Sequence, residues 1–187
     1  MKLLIGCLIT IISIPALAQN KQCDSIVWKA DRKLTWNDFR GGPVTSTVIV
    51  AKTQCNFTRT WNIKNNTLIT SMVCYFSPCL SWSKNKSSEN LLAHEQGHFD
   101  IAEYFRRLYY KRIAEAYYSP STLQATMNNT YRDVLRDSER MQRTYDSETT
   151  HGLKREVQQQ WLIKIADLLD SVRQYDKPEI TVTLPKP

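Results

Sequence analysis

The chain has no C-x-x-C pair, no internal repeat, no low-complexity linker and, beyond its first residues, no long hydrophobic run. The missing C-x-x-C argues against a cysteine zinc ribbon or a thioredoxin-type redox motif. Without repeats or a linker, one domain is the simplest account of 187 residues, a length that can bury a real core. Hydrophobic residues at 42% and charged residues at 23% describe neither a disordered nor a polytopic chain. A formal charge of +7 permits attraction to acidic surfaces. However, Arg106, Arg107, Lys111 and Arg112 are interleaved with tyrosines and glutamates in what reads as a solvated helix face, and no nucleic-acid motif accompanies them. Histidine is scarce too: only His94, His98 and His151 occur.

The first residues read as an export signal. Lys2, the apolar run Leu3 to Ile14, the Pro15 break and Ala16-Leu17-Ala18 follow the order of a signal peptide, with cleavage expected after Ala18 and a mature start at Gln19. The run is too short for a comfortable membrane span. Cys7 in "LIGC" has the local look of a lipid-attachment site, but too little apolar chain precedes it. The expected product is periplasmic or secreted, with no stable membrane insertion after cleavage. Its four cysteines, Cys23, Cys55, Cys74 and Cys79, then suggest two disulfides. Cys74 with Cys79 would close a small loop and leave Cys23 with Cys55.

The mature chain, residues 19–187, has two textures. Residues 19–83 are strand-rich, with β-branched and aromatic runs at 44–53, 55–64 and 68–76 and a hairpin turn in "KNNT". Residues 87–175 have helical periodicity. One helix is expected from a Ser87 or Ser88 cap to about Tyr118. A second carries Leu123, Met127, Tyr131, Val134, Ser138, Met141 and Tyr145, and "YDSETTHG" at 145–152 is expected to interrupt it. A third carries Leu153, Val157, Trp161, Ile165, Leu168 and Val172. "EITVTLP" is one more strand or a tail. The predicted class is α+β: an N-terminal antiparallel sheet followed by about three long helices. In "LTWNDFRG", Trp36 and Phe39 beside a Gly-Gly turn read as core anchors.

"LLAHEQGHFDIAE", residues 91–103, carries the chemistry. His94 and His98 are one helical turn apart, so both imidazoles project from one face, as two ligands of one zinc ion must. Glu95 is rotated by about 100° and can lean over the open side as general base for an activated water. This H-E-x-x-H pattern defines a zincin-like active-site helix. A catalytic zinc needs a third ligand, for which Asp100, Glu103 and His151 are candidates. The two carboxylates lie well off the ligand face of a regular helix. His151 sits in an irregular polar segment beside Gly152 and is the expected ligand. Asp100, Glu103, Asp146 and Glu148 are available to hold the ligating imidazoles. Tyr145 is a candidate catalytic donor to an oxyanion, with core packing as its alternative.

The pieces "LTWNDFRGGP" (34–43), "SW" (81–82), "LLAHEQGHFDIAE" (91–103) and "YDSETTHG" (145–152), in that order, resemble the bacterial secreted zinc-dependent proteases first catalogued as a domain of unknown function. The resemblance implies a metallopeptidase with His94, Glu95 and His98 in its active site, and it implies that the Tyr-Asp…Thr-His-Gly segment belongs to that site. The expected cofactor is Zn²⁺ and the expected partner a peptide or protein substrate, with no nucleic acid. Rival expectations are a zinc amidase acting on cell-wall peptides and a non-enzymatic zinc-binding envelope protein.

Overall fold

A computed structural model describes residues 23–185. The expected signal peptide, residues 1–18, lies outside them. The described chain is α+β, with antiparallel strands mostly ahead of three helices.

The sheet is built on one long hairpin. β3 (Cys55–Lys64) and β4 (Thr67–Phe76) pair antiparallel over their full length, from Cys55 opposite Phe76 to Lys64 opposite Thr67. Asn65 and Asn66 make the turn with φ of 49° and 60°, the left-handed pair that a two-residue hairpin loop requires and that asparagine tolerates. On the other edge of β4, β1 (Ile26–Val27) pairs at one end and β6 (Glu179–Thr183) at the other. The C-terminal "EITVT" is therefore a strand of the sheet. β4 buries every second residue, Leu68, Thr70, Met72, Cys74 and Phe76, as a half-buried strand must.

Residues 44–53 do not form the expected long strand. Only β2 (Ala51–Lys52) is strand, paired with the short β5 (Trp82–Ser83) in a separate two-stranded sheet. Val48 stands 98% exposed. A β-branched run has strand propensity, but without a partner strand along its length its hydrogen-bonding groups gain nothing from the extended ladder.

α1 (Glu89–Glu115) starts where the serine cap was expected: the Leu91 N–H donates to the Ser88 hydroxyl at 3.1 Å. It touches β3, β4 and β6 and both other helices, which is why so many of its side chains are buried. Tyr109 and Tyr110 are fully enclosed, and each hydroxyl has a partner. Tyr110 accepts from the Met72 N–H and donates to the Pro178 carbonyl, both at 2.8 Å. Each such ring contributes about 1.5–3 kcal/mol of burial while its hydroxyl stays satisfied.

α2 (Leu123–Thr149) runs further than expected. "YDSET" completes its last turns, and the break falls on Thr150, His151 and Gly152, all at positive φ. α3 (Arg155–Ser171) buries Trp161 and Ile165. Leu153 precedes it and is exposed rather than on its apolar face.

The anchors in "LTWNDFRG" are in the core. Phe39 is fully buried between Trp36 and Phe76, at ring separations of 4.9 and 5.1 Å. The Leu34 N–H donates to Gln96 Oε1 at 2.8 Å and ties this segment to α1.

The expected cysteine pairing is overturned. Cys23 pairs with Cys79, Cα to Cα 5.8 Å, and Cys55 and Cys74 are free thiols. Nearness in sequence suggested Cys74 with Cys79, but Cys74 faces inward from β4 into the cluster around Phe39 and Phe99. Among the described residues no helix is long and apolar enough to cross a membrane.

Candidate metal centre

α1 brings His94 and His98 to one face, with Nε2 atoms 3.2 Å apart. α2 supplies the third group. Asp146 Oδ1 lies 3.1 Å from His94 Nε2 and 3.0 Å from His98 Nε2. Among the described residues this is the group of His, Cys, Asp and Glu side chains whose donor atoms could hold a metal ion. A tetrahedral zinc with ligands near 2.0–2.1 Å separates its donors by about 3.3 Å. The three observed separations are close to that edge length.

The hydrogen-bond chemistry points the same way. Gln142, one turn before Asp146 on α2, donates from Nε2 to the His98 carbonyl at 2.9 Å. That bond fixes its amide, so Oε1 is the atom facing His98 Nδ1 at 2.5 Å. A carbonyl oxygen there selects the Nδ1–H tautomer and leaves the Nε2 lone pair aimed at a carboxylate oxygen. Two acceptors converging in this way are stabilised only by a positive charge between them: a proton, or a metal ion.

The ionisation of the group is consistent with this. Burial opposes the charge of Asp146, yet its hydrogen bonds with His94 and His98 hold the carboxyl well below the usual carboxylate range. Burial pushes the His94 imidazole down, against the pull of Asp146. At His98 burial acts downward too, but the Asp146 hydrogen bond and the nearby Glu95 and Asp146 charges carry it net upward.

Glu95 is buried next to the donors, and the Thr53 hydroxyl donates to its Oε2 at 2.6 Å. Glu95, His94, His98, Asp146 and His151 all line one cleft of about 690 Å³. Its other walls are the segment around β2 and the Tyr131, Leu135 and Gln142 stripe of α2.

The remaining candidates fall on both sides of the centre. His151 reaches it: its Nδ1 is 3.2 Å from the same Asp146 Oδ1, on a ring that stays 56% exposed at the rim. Asp100 is not a ligand; it accepts from Trp28 Nε1 at 2.6 Å and Gln96 Nε2 at 2.8 Å. Glu103 is neutralised by Arg106 and Arg107, at 2.7 Å each. Glu148 accepts from Trp161 Nε1 at 2.7 Å. Of the four carboxylates available to the histidines, only Asp146 touches them. Tyr145 is fully buried beneath the site. Its ring stacks on His94 at 4.5 Å, and its hydroxyl donates to the His94 carbonyl at 3.3 Å. Packing, the alternative considered for it, is what its surroundings match, and no oxyanion role is assigned to it.

Sequence reasoning offered Asp146 as a support for the imidazoles and not as a third donor, and it did not place Gln142 or Thr53 at the centre. A signal was present for two of them: Gln142 and Asp146 stand one helical turn apart, beside the apolar stripe of the same helix. No curated protein and no solved structure matches the chain. A family model described as "Bacterial protein of unknown function (DUF922)" matches residues 79–152, the stretch that holds both histidines of α1, Glu95, Asp146 and His151.

Proposed function

We propose that the protein is an exported zinc-dependent metallopeptidase. The observation that carries this reading is the convergence of His94, His98 and Asp146 beside a buried glutamate in an open cleft. His94, His98 and Asp146 would hold the metal in this account, and His151 stands at the rim beside Asp146. Bound zinc would supply Lewis acidity, polarising a scissile carbonyl and a water molecule. Two imidazoles and a carboxylate also hold ferrous iron in some oxygenases, but a general base beside the donors is what hydrolysis needs and favours zinc.

The work left to the chain's own residues is proton transfer and positioning. Glu95 takes a proton from the attacking water and returns it to the leaving amine. Thr53 aims that carboxylate by donating to one of its oxygens, leaving the other free. The cleft wall supports an extended peptide as substrate. Val50 accepts from the Lys84 N–H at 2.8 Å, and Lys52 lies opposite Trp82. Backbone direction alternates along a strand, so Ala51, which lines the cleft, turns its N–H and C=O away from β5. An open strand edge binds an extended chain by main-chain hydrogen bonds. Export is supported by the Cys23–Cys79 disulfide, which fits an oxidising compartment.

The test is hydrolysis of an unfolded protein and a mixed peptide library by the wild type and Glu95→Gln. The variant should keep its metal and lose about 10²–10⁴-fold in rate. Full activity in Glu95→Gln would contradict the assignment of the base.

A further inference from the structure

The two histidines are supported unequally in one respect. His98 Nδ1 meets Gln142 Oε1, whereas His94 Nδ1 is buried without a partner. Among the described residues one other buried side-chain atom shares that condition, Gln158 Oε1 on α3. The two belong to one neighbourhood. A Cβ placed on Gly152 would lie 2.8 Å from Gln158 Oε1 and 3.1 Å from His94 Cγ, so the amide oxygen and the imidazole both lie against this glycine, with no hydrogen bond between them.

The orientation of Gln158 is not free. Its Nε2 donates to the Asn90 carbonyl at 2.8 Å and to Asn90 Oδ1 at 3.1 Å. The Asn90 amide is itself fixed, because its Nδ2 donates to the Gly152 carbonyl at 2.6 Å. Both hydrogens of the Gln158 amide are therefore spent on Asn90, and its oxygen is left as an acceptor. An imidazole that ligates through Nε2 carries its proton on Nδ1 and is a donor there. One buried atom is a donor in search of an acceptor and the other the reverse, and leaving both unpaired is costly.

We propose that Gln158 is the positioning residue for His94: its Oε1 accepts the Nδ1 proton and holds the Nε2 lone pair ready for the metal. This rests on the metal reading above. The support of the two ligands would then be parallel, each Nδ1 bonded to a glutamine oxygen whose amide nitrogen donates to an α1 carbonyl, that of His98 or of Asn90. It also gives α3, which begins after residue 152, a direct part in the centre.

The test combines zinc affinity with the His94 Nδ1 proton of the zinc-loaded protein, read from ¹H–¹⁵N spectra. Gln158→Leu should weaken zinc binding by about 10–100-fold, the usual cost of losing such a partner. Ile165→Val, a core change on the same helix, should leave affinity unchanged. The wild-type His94 Nδ1 proton should stand downfield, as a hydrogen-bonded proton does, and move upfield in Gln158→Leu while that of His98 stays in place. Wild-type affinity in Gln158→Leu, or a His94 Nδ1 proton that does not move, would overturn the assignment. If the leucine variant does not fold, Gln158→Met, closer in shape and without the acceptor, takes its place. If the wild type binds no zinc, the metal reading fails and the assignment of Gln158 fails with it.

Discussion

Gly97 lies so close to Tyr145 that a Cβ on it would sit 2.5 Å from the tyrosine hydroxyl and 2.9 Å from its ring. The absent side chain lets α2 approach α1 and lets Tyr145 stack on His94. Tyr145 is fully buried and cannot swing away. Gly97→Ala should therefore destabilise the fold by about 1–3 kcal/mol through overpacking, despite a gain of up to about 1 kcal/mol in helix propensity. Chemical denaturation measures this directly, and a variant as stable as wild type would show that the contact yields easily.

Asp38 is buried, pairs with Arg32 at 2.7 Å and accepts from the Thr35 N–H at 2.7 Å. Burial alone would raise its pKa, but these bonds outweigh it and hold the carboxyl below the ordinary value. A depressed carboxylate adds stability that is present above its unfolded value, about 3.9, and is lost as pH falls through its folded one. Asp38→Asn should cost about 2 kcal/mol at pH 7. That gap should close as pH drops below about 4. Urea titrations of both proteins at several pH values check the sign.

The cysteines give a simple count. Burial pushes the Cys55 and Cys74 thiols far above their usual range, with nearby negative charges adding to it. Both should react slowly with thiol reagents in the native protein. Cys55 and Cys74 should both appear as free thiols on unfolding without reductant. Labelling of neither would mean that Cys55 and Cys74 are joined. Reducing Cys23–Cys79, which closes a loop of 56 residues, should lower stability by at most about 4 kcal/mol.

Much of this architecture is legible in the sequence because it rests on local periodicity. The β3–β4 hairpin follows from two alternating runs around a pair of asparagines. α1 follows from Ser88 and a long helical pattern. What failed depends on partners distant in the chain. The Val48–Val50 segment has the residues of a strand but little to pair with. The cysteine pairing is set by the turn at Pro78–Leu80, which brings Cys79 to Cys23. At the site, the α1 spacing identified His94, Glu95 and His98 as one cluster. The length of α2 was misjudged because "YDSETTHG" looks like a break from its first residue, whereas the helix continues to Thr149. That continuation carries Asp146 into the group and leaves His151 at the rim.

The central claim is that Asp146 completes a metal centre with His94 and His98. The most direct measurement is metal content by elemental mass spectrometry of the wild type, Asp146→Ala and His151→Ala after dialysis against trace zinc. The account predicts about one zinc per chain in the wild type and in His151→Ala, and little in Asp146→Ala, since such a site needs three protein ligands. Zinc kept by Asp146→Ala and lost by His151→Ala would contradict it and make His151 the third ligand. A wild type that takes up no zinc would remove the centre altogether.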